Sequence, residues 1–120
     1  MAKILVVDDD HTMTSLLSTL LGMEGYQVAT IQDWGKILET IQAENPDLIL
    51  MDRFLPQSDG IELVAQIRTD PATTSIQILM TSGMDVEDLC LAAGADAFLL
   101  KPYSPDQLLE NIQVHLADQK

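Results

Sequence analysis

The stretch Lys3–His11, KILVVDDDH, joins a short β-branched run to three consecutive carboxylates. The run Ile4–Val7 contains no polar residue, so it predicts a strand that is buried on both faces of a sheet. Two like charges about 4 Å apart repel by about 4 kcal/mol at an effective dielectric constant of 20. A chain that places Asp8, Asp9 and Asp10 at the end of a core strand therefore needs a partner that offsets this repulsion.

The composition is that of an acidic chain with enough apolar residues to fold. It has 120 residues, of which 47% are hydrophobic, and its net charge is -13. This length predicts one domain that covers residues 1–120. Because 6 basic residues stand against 19 acidic ones, no basic patch is available for phosphates, and we expect no direct binding to nucleic acid.

Cysteine usage and the length of the apolar runs bear on the compartment. Cys90 is the only cysteine, so an internal disulfide is excluded, which is typical of a reducing compartment. The carboxylates that begin at Asp8 interrupt the N-terminal segment too early for a signal peptide. No apolar run approaches the roughly 20 residues that span a bilayer. We therefore expect a cytoplasmic protein without a membrane segment.

Strand-like and helix-like segments alternate along the chain. Short apolar runs predict five strands, at residues 4–7, 26–31, 47–51, 76–80 and 97–100. Apolar residues at helical spacing follow each of them and predict five helices. This (βα)₅ pattern predicts an α/β fold with a five-stranded parallel sheet and helices on both faces. The expected strand order is the flavodoxin-like 2-1-3-4-5.

Capping residues mark where the predicted helices begin. Asp10, Asp33, Asp59 and Asp85 and the Ser104–Gln107 segment are helix starts, and Asp59 with Glu62 resembles a capping pair. The inward face of the fourth helix is predicted to contain Val86, Leu89, Cys90 and Ala93. The segment 52–60, DRFLPQSDG, is predicted to be a loop.

Polar side chains stand where four of the five predicted strands end. They are Asp8 and Asp9 after the first strand, Asp52 after the third, Thr81 and Ser82 after the fourth and Lys101 after the fifth. In parallel sheets of this kind, ligands bind outside the carboxyl ends of the strands. Mg²⁺ prefers oxygen ligands and needs only one or two carboxylates. The sequence therefore predicts a Mg²⁺ site, with Mn²⁺ as a substitute, beside a carboxylate nucleophile that forms an aspartyl phosphate.

At these positions the chain resembles a response-regulator receiver domain, of the chemotaxis-regulator type with a single receiver. The matching motifs are VVDD at 6–9, LMD at 50–52, Pro56 with Asp59-Gly60, MTS at 80–82 and GADAFLLKP at 94–102. Each motif is short and nonspecific by itself. Together they occur in order at the predicted strand ends and cover essentially the whole chain.

The resemblance implies a role for each residue of the site. It implies that Asp52 is the phosphoacceptor and that Asp9 ligates Mg²⁺ directly, with Asp8 contributing through water or hydrogen bonds. The third protein ligand implied is the backbone carbonyl of Phe54. Three further residues complete the implied site: Lys101 binds the phosphoryl group, Thr81 is the switch hydroxyl, and Phe98 is the aromatic residue that repacks with Thr81.

The same resemblance implies a signalling function rather than conventional catalysis. A sensor histidine kinase or a histidine phosphotransfer protein would supply the phosphoryl group. The surface formed by the fourth helix, fifth strand and fifth helix would then change and bind a downstream protein partner or an output domain. The only reactions expected of the chain are its own phosphorylation and dephosphorylation. Whether the receiver stands alone or belongs to a larger protein stays open.

Three other classes share parts of this pattern. A phosphatase resembling the haloacid dehalogenases would carry a second acid two residues after the nucleophile, where this chain has Phe54. A flavin- or nucleotide-binding module would need a phosphate-binding loop, but the sequence has no G-x-G-x-x-G or Walker pattern. A pseudo-receiver would act only through protein contacts, and the complete set of site residues argues against it.

Overall fold

The computed structural model describes residues 1–117, so the last three residues of the predicted 1–120 domain lie outside the described part of the chain. Within residues 1–117, five parallel strands form one sheet in the order β2-β1-β3-β6-β7. Their bounds are β1 Lys3–Val7, β2 Gln27–Thr30, β3 Leu48–Asp52, β6 Gln77–Ser82 and β7 Ala97–Leu100. Strands β4, Phe54–Leu55, and β5, Ser58–Asp59, form a separate hairpin. When the five strands of the main sheet are counted along the chain, their order is the predicted 2-1-3-4-5.

Helices cover both faces of the sheet. The described residues contain α1 His11–Met23, α2 Ile37–Glu44, α3 Gly60–Thr69, α4 Glu87–Ala93 and α5 Pro105–Ala117. Helices α1 and α5 pack on one hydrophobic layer, and α2, α3 and α4 pack on the other. The predicted (βα)₅ flavodoxin-like fold is confirmed. No helix among residues 1–117 is long and apolar enough to cross a membrane.

Strand β1 feeds both hydrophobic layers because its side chains alternate between the two faces of the sheet. Leu5 and Val7 belong to the layer under α2, α3 and α4, whereas Ile4 and Val6 belong to the layer under α1 and α5. Each of these four side chains is at most 1% exposed. The strand predicted to be buried on both faces is therefore the centre of the core.

Side-chain caps set the starts of several helices, as predicted. Asp10 Oδ1 accepts a hydrogen bond of 3.1 Å from the Met13 amide at the start of α1. Ser104 and Gln107 form a reciprocal capping box at α5, with distances of 3.1 Å and 3.0 Å. Asp33 caps a 3₁₀ turn, Trp34–Lys36, that leads into α2. These local hydrogen bonds fix the residues at which the loops end and the helices begin.

Helix α4 differs from the prediction in two respects. Leu89 is 55% exposed, so the prediction that it faces inward is wrong, whereas Cys90 is fully buried. Leu89 lies at the margin of the stripe that Val86 and Cys90 define, and α4 has only 7 residues with which to cover its sheet edge. The Asp85 carboxylate lies 3.5 Å from the Glu87 amide, and Val86, the N-cap residue, makes no side-chain cap. At the N-terminal end of α4, the only side-chain hydrogen bond among the described residues is thus this long contact with Asp85.

The segment predicted to be a loop contains a small hairpin. Strand β4, Phe54–Leu55, pairs antiparallel with β5, Ser58–Asp59. Gln57 occupies the turn with a φ of 64°, a conformation that sequence patterns usually signal by glycine or asparagine. Two-residue strands are also too short to show a period of two. The hairpin therefore leaves no recognisable trace in the sequence.

Gly60, the first residue of α3, has no room for a side chain. A Cβ atom there would lie 2.7 Å from the Asp52 carbonyl oxygen, 2.9 Å from Met80 Cε and 3.0 Å from Arg53 Cα. We expect Gly60→Ala to lower the free energy of unfolding by about 1–3 kcal/mol, because the backbone beside Asp52 must shift. Urea unfolding followed by circular dichroism measures this.

The matched control is Gly22→Ala in α1, where an added Cβ meets nothing within 4 Å. Alanine is a better helix former than glycine, so this substitution should raise the free energy of unfolding by up to about 0.5 kcal/mol. Equal effects of the two substitutions would show that the close approach at Gly60 is not a constraint.

Candidate functional site

Three carboxylates meet at the carboxyl edge of the sheet. Asp8, Asp9 and Asp52 each bring one oxygen to within 4.8 Å of the others. The register explains this meeting, because Val7 of β1 pairs with Met51 of β3, which places the residues that follow them side by side. The predicted convergence of these aspartates is confirmed. Asp10 points elsewhere, since its carboxylate caps α1.

Lys101 supplies a positive charge that offsets part of the repulsion among these carboxylates. Its Nζ lies 3.1 Å from Asp8 Oδ2 and 3.5 Å from Asp52 Oδ1. The Asp8 side chain is only 6% exposed, and its other oxygen accepts a hydrogen bond of 3.0 Å from the Asp10 amide. One ammonium faces three carboxylates, so the cluster keeps a net negative charge. Hard oxygen donors with an uncompensated negative charge fit Mg²⁺.

The titration of Asp52 reflects this crowded environment. Burial is the main reason why the pKa of Asp52 lies above its ordinary value of 3.8; Lys101 lowers it in part, and Asp8 raises it further. Burial by itself would lower the pKa of Lys101, but the hydrogen bond and charge of Asp8, with the charge of Asp52, raise it above 10.5. The ammonium is thus held charged between the two aspartates.

Thr81 and Ser82 complete the edge of the sheet on the β6 side. Thr81 is 2% exposed and stands opposite Asp52 in the β3–β6 pairing. In the β6–β7 pairing, Thr81 stands opposite Leu99, so Phe98 is one residue away along the edge strand. Phe98 is partly buried and packs against the layer under α2, α3 and α4. The predicted switch residues therefore lie on adjacent strands, with Thr81 beside the acceptor carboxylate.

Arg53 is a residue of this site for which the sequence analysis predicts no role. Its amide donates to the Thr81 carbonyl at 2.9 Å and to Asp52 Oδ1 at 3.0 Å. Its guanidinium carbon lies 4.5 Å from the centroid of the Phe54 ring, a cation–π contact. The available signal was its position: Arg53 follows Asp52 directly and is the only basic residue between Lys36 and Arg68.

The raised pKa of Asp52 makes a prediction about stability without metal. An acid whose folded-state pKa is raised contributes stability below its unfolded pKa, and this contribution is lost as the pH rises through the folded pKa. Asp52→Asn should therefore unfold at higher urea concentration than the parent at pH 7 in EDTA. The difference should shrink as the pH falls toward 3.8. Asp106→Asn, at an exposed carboxylate of α5, should show no such gain; a parent that is more stable than Asp52→Asn at pH 7 contradicts the prediction.

Comparison with known proteins identifies relatives over nearly all of the chain. The family model of the response regulator receiver domain matches residues 4–113, a range that contains all the site residues above. The chain is 33% identical over 116 residues to the DNA-binding response regulator MtrA of Mycolicibacterium smegmatis, covering 95% of this chain and 50% of the relative. The chain thus spans about half the length of the curated relatives that it matches.

Solved structures show the same likeness. The chemotaxis response regulator CheY4 of Vibrio cholerae superimposes with a TM-score of 0.87 at 31% identity, covering 96% of this chain and 98% of CheY4. The receiver domain of the sensor histidine kinase PA1611 from Pseudomonas aeruginosa, with a magnesium ion in its active-site cleft, gives a TM-score of 0.86 at 25% identity, with 97% and 98% covered.

Receiver domains of two-component systems are phosphorylated on an aspartate and bind Mg²⁺ at an acidic pocket. They are signalling phosphoacceptors rather than conventional enzymes. Their partners are histidine kinases or phosphotransfer proteins. The fold, the carboxylate cluster and these matches agree, and this chain belongs to the response-regulator receiver domain family.

Proposed function

We propose that residues 1–120 form one receiver domain that accepts a phosphoryl group on Asp52. The observation that carries this proposal is the meeting of Asp52 with Asp8, Asp9 and Lys101 at one edge of the sheet. Asp52 ends a central strand and has a half-buried carboxylate. It is thus more enclosed than Asp9 and less enclosed than the Asp8 side chain, which suits a nucleophile that a donor must reach.

The metal site in this proposal uses Asp9 as a direct ligand, together with Asp52 and the Phe54 carbonyl. Asp8 contributes through water or hydrogen bonds. Mn²⁺ would substitute for Mg²⁺, because both are hard cations that suit oxygen donors. When bound, the cation neutralises the carboxylates and the oxygens of the incoming phosphoryl group. The residues of the chain provide the geometry, and the ion provides the missing positive charge.

Phosphoryl transfer itself needs positioning more than covalent chemistry. An oxygen of the ionised Asp52 carboxylate forms a bond to phosphorus as the phosphorus–nitrogen bond of the donor histidine breaks. The bonding electrons return to the imidazole nitrogen, and because the other ring nitrogen carries a proton, the histidine leaves as neutral imidazole. Lys101, 3.5 Å from Asp52 Oδ1, then pairs with a phosphoryl oxygen. The Thr81 hydroxyl then donates a hydrogen bond to another phosphoryl oxygen.

An apolar groove beside the site offers a place for the phosphodonor. The groove runs between α1 and α5, has a volume of about 430 Å³ and is lined by Leu16, Tyr103 and Lys101 among others. Leu16 of α1 is 63% exposed, so this apolar side chain is available for contact. Because Lys101 lines both this groove and the carboxylate cluster, we propose that a helix of the histidine kinase or phosphotransfer protein packs here and brings its phosphohistidine to Asp52.

The output follows from the second half of the chain. We propose that Thr81 moves toward the phosphoryl group, that Phe98 fills the space that it leaves, and that the surface of α4, β7 and α5 changes for a downstream partner or an output domain. The loosely capped start of α4 supports a rearrangement at this end. Reversal by self-catalysed dephosphorylation belongs to the same proposal. The lone Cys90 supports a cytoplasmic location, and the net charge of -13 supports the absence of direct nucleic-acid contacts.

Incubation with acetyl phosphate and Mg²⁺ tests the acceptor assignment. Intact-mass analysis should find one added phosphoryl group, which Asp52→Asn should abolish. Asp10→Asn is the control, because Asp10 belongs to the same acidic run but caps α1, and it should be labelled like the parent. A label that maps to another residue, or a parent that stays unlabelled, would disprove the assignment.

Beryllofluoride, a phosphoryl mimic, tests the switch. Amide chemical shifts should change along α4, β7 and α5 as well as at the pocket, and Thr81→Ala should confine the changes to the pocket. Thr73→Ala is the control, because Thr73 is a buried threonine that bonds to the Ile67 carbonyl outside the site. Changes restricted to the pocket loops in the parent would show that no signal reaches the output surface.

A further inference from the structure

We propose that Arg53 is a positioning residue for the metal site. Its side chain holds the β4–β5 hairpin, and with it the Phe54 carbonyl, in the position in which that carbonyl ligates Mg²⁺. The inference rests on the proposed function, which makes this carbonyl a ligand. It assigns the Mg²⁺ affinity of the site in part to a residue that does not touch the ion.

The main chain of Arg53 is fixed on three sides. Its amide donates to Thr81 O and to Asp52 Oδ1, and its carbonyl accepts a 2.6 Å hydrogen bond from the Gly60 amide. These bonds tie Arg53 to β6, to the acceptor carboxylate and to the start of α3. The side chain therefore starts from a rigid point directly beside the carboxylate cluster, and its contacts bear on the next residue along the chain.

The side chain of Arg53 contacts both members of one residue pair in the hairpin. Phe54 and Asp59 stand opposite each other in the β4–β5 pairing. The guanidinium carbon lies 4.5 Å from the Phe54 ring centroid. Nε lies 3.6 Å from Asp59 Oδ1, which makes an ion pair but no hydrogen bond. Asp59 Oδ1 also accepts the Ile61 amide at the start of α3, at 2.9 Å. Arg53 thus joins the two strands of the hairpin to each other and to a helix cap.

Besides the contacts of the Arg53 side chain, the hairpin is held by Leu55, which packs against the layer under α2, α3 and α4, and by the Gly60–Arg53 main-chain bond at its base. It has two residues in each strand, and hairpins without further packing are marginally stable in water. The Phe54 ring is 56% exposed, so burial of the ring contributes little. The Arg53 side chain, in contrast, is 18% exposed. The largely buried Arg53 side chain therefore contributes packing that the exposed Phe54 ring does not.

The guanidinium is not a counter-ion of the carboxylate cluster. Among the described residues, Asp8 and Asp52 form their ion pairs with Lys101. Arg53 forms its ion pair with Asp59 and bonds to Asp52 through its backbone amide. The guanidinium is directed toward Asp59 and the Phe54 ring. This distinction is measurable. Removal of a counter-ion strengthens cation binding, whereas removal of a positioning residue weakens it.

Calorimetric titration of Mg²⁺ into Arg53→Ala and the parent tests the inference. We expect the dissociation constant for Mg²⁺ to rise about 10-fold, as for other residues that orient metal ligands. The phosphorylation rate with acetyl phosphate should fall at low Mg²⁺ and return to near the parent rate at saturating Mg²⁺. Urea unfolding in EDTA separates this from a purely structural role, which would lower the unfolding midpoint and leave the dissociation constant unchanged.

Matched variants sharpen the result. Lys36→Ala removes one positive charge from the exposed 3₁₀ turn before α2 and should leave Mg²⁺ affinity near that of the parent. Arg53→Lys keeps the charge without the planar head and should recover part of the affinity. Asp59→Asn, which keeps an oxygen for the helix cap, should weaken binding in the same direction, and its effect should be less than additive with Arg53→Ala.

Unchanged or tighter Mg²⁺ binding by Arg53→Ala would overturn the inference and leave the proposed function intact. A parent that binds no Mg²⁺ would overturn both. If the effects of the Arg53 and Asp59 substitutions on the Mg²⁺ dissociation constant are fully additive, the two side chains do not act together. That result would overturn the inference that Arg53 positions the hairpin through Asp59.

Discussion

The carboxyl edge of this protein depends on the ion pairs that Lys101 makes with Asp8 and Asp52. Without an opposing charge, the meeting of three carboxylates at the end of a buried strand would favour their separation or protonation. The ammonium offsets part of this repulsion, yet the pKa of Asp52 stays raised by burial. Without a bound cation, the carboxylate cluster therefore keeps an excess of negative charge. In the proposed function, this negative charge would attract Mg²⁺, and the ion with Lys101 would offset the charge of the phosphoryl group.

The opposite edge of the sheet is built on a different principle. Arg68 donates to the carbonyls of Gly94, Thr74 and Ile76 and to the Asp96 carboxylate, at distances of 2.6–2.9 Å. This one guanidinium ties the end of α3, the start of β6 and the turn before β7 together with satisfied hydrogen bonds. The end of α4 is thus anchored at Gly94, while its start lacks a side-chain cap. Arg68 therefore fixes the segments before β6 and β7 at the edge away from the site.

The pattern of apolar residues is sufficient to predict most of the strands, the helices and the topology. A β-branched run such as Ile4–Val7, without a polar residue, can only be placed at the centre of a doubly covered sheet, and β1 is placed there. Alternation of strands and helices then leaves few topologies, because crossovers are right-handed. The predicted order and the helix starts at Asp10 and Ser104 are confirmed for this reason. Where the periodicity was marginal, as at Leu89, the sequence could not distinguish the edge of a buried stripe from its centre.

The site divides in the same way. The sequence predicted which polar residues follow the strands, namely Asp8, Asp9, Asp52, Thr81 and Lys101. It also predicted that they lie near each other, because parallel strands bring their carboxyl ends to one edge of the sheet. Tertiary structure alone decided the pairing of Lys101 Nζ with Asp8 and Asp52, the β4–β5 hairpin and the contact of Arg53 with Phe54 and Asp59. The physical reason is range. Periodicity and capping depend on residues a few positions apart, so a local sequence pattern indicates them. The contacts of Lys101 and Arg53 depend on how separate strands and helices pack, which a local pattern does not indicate.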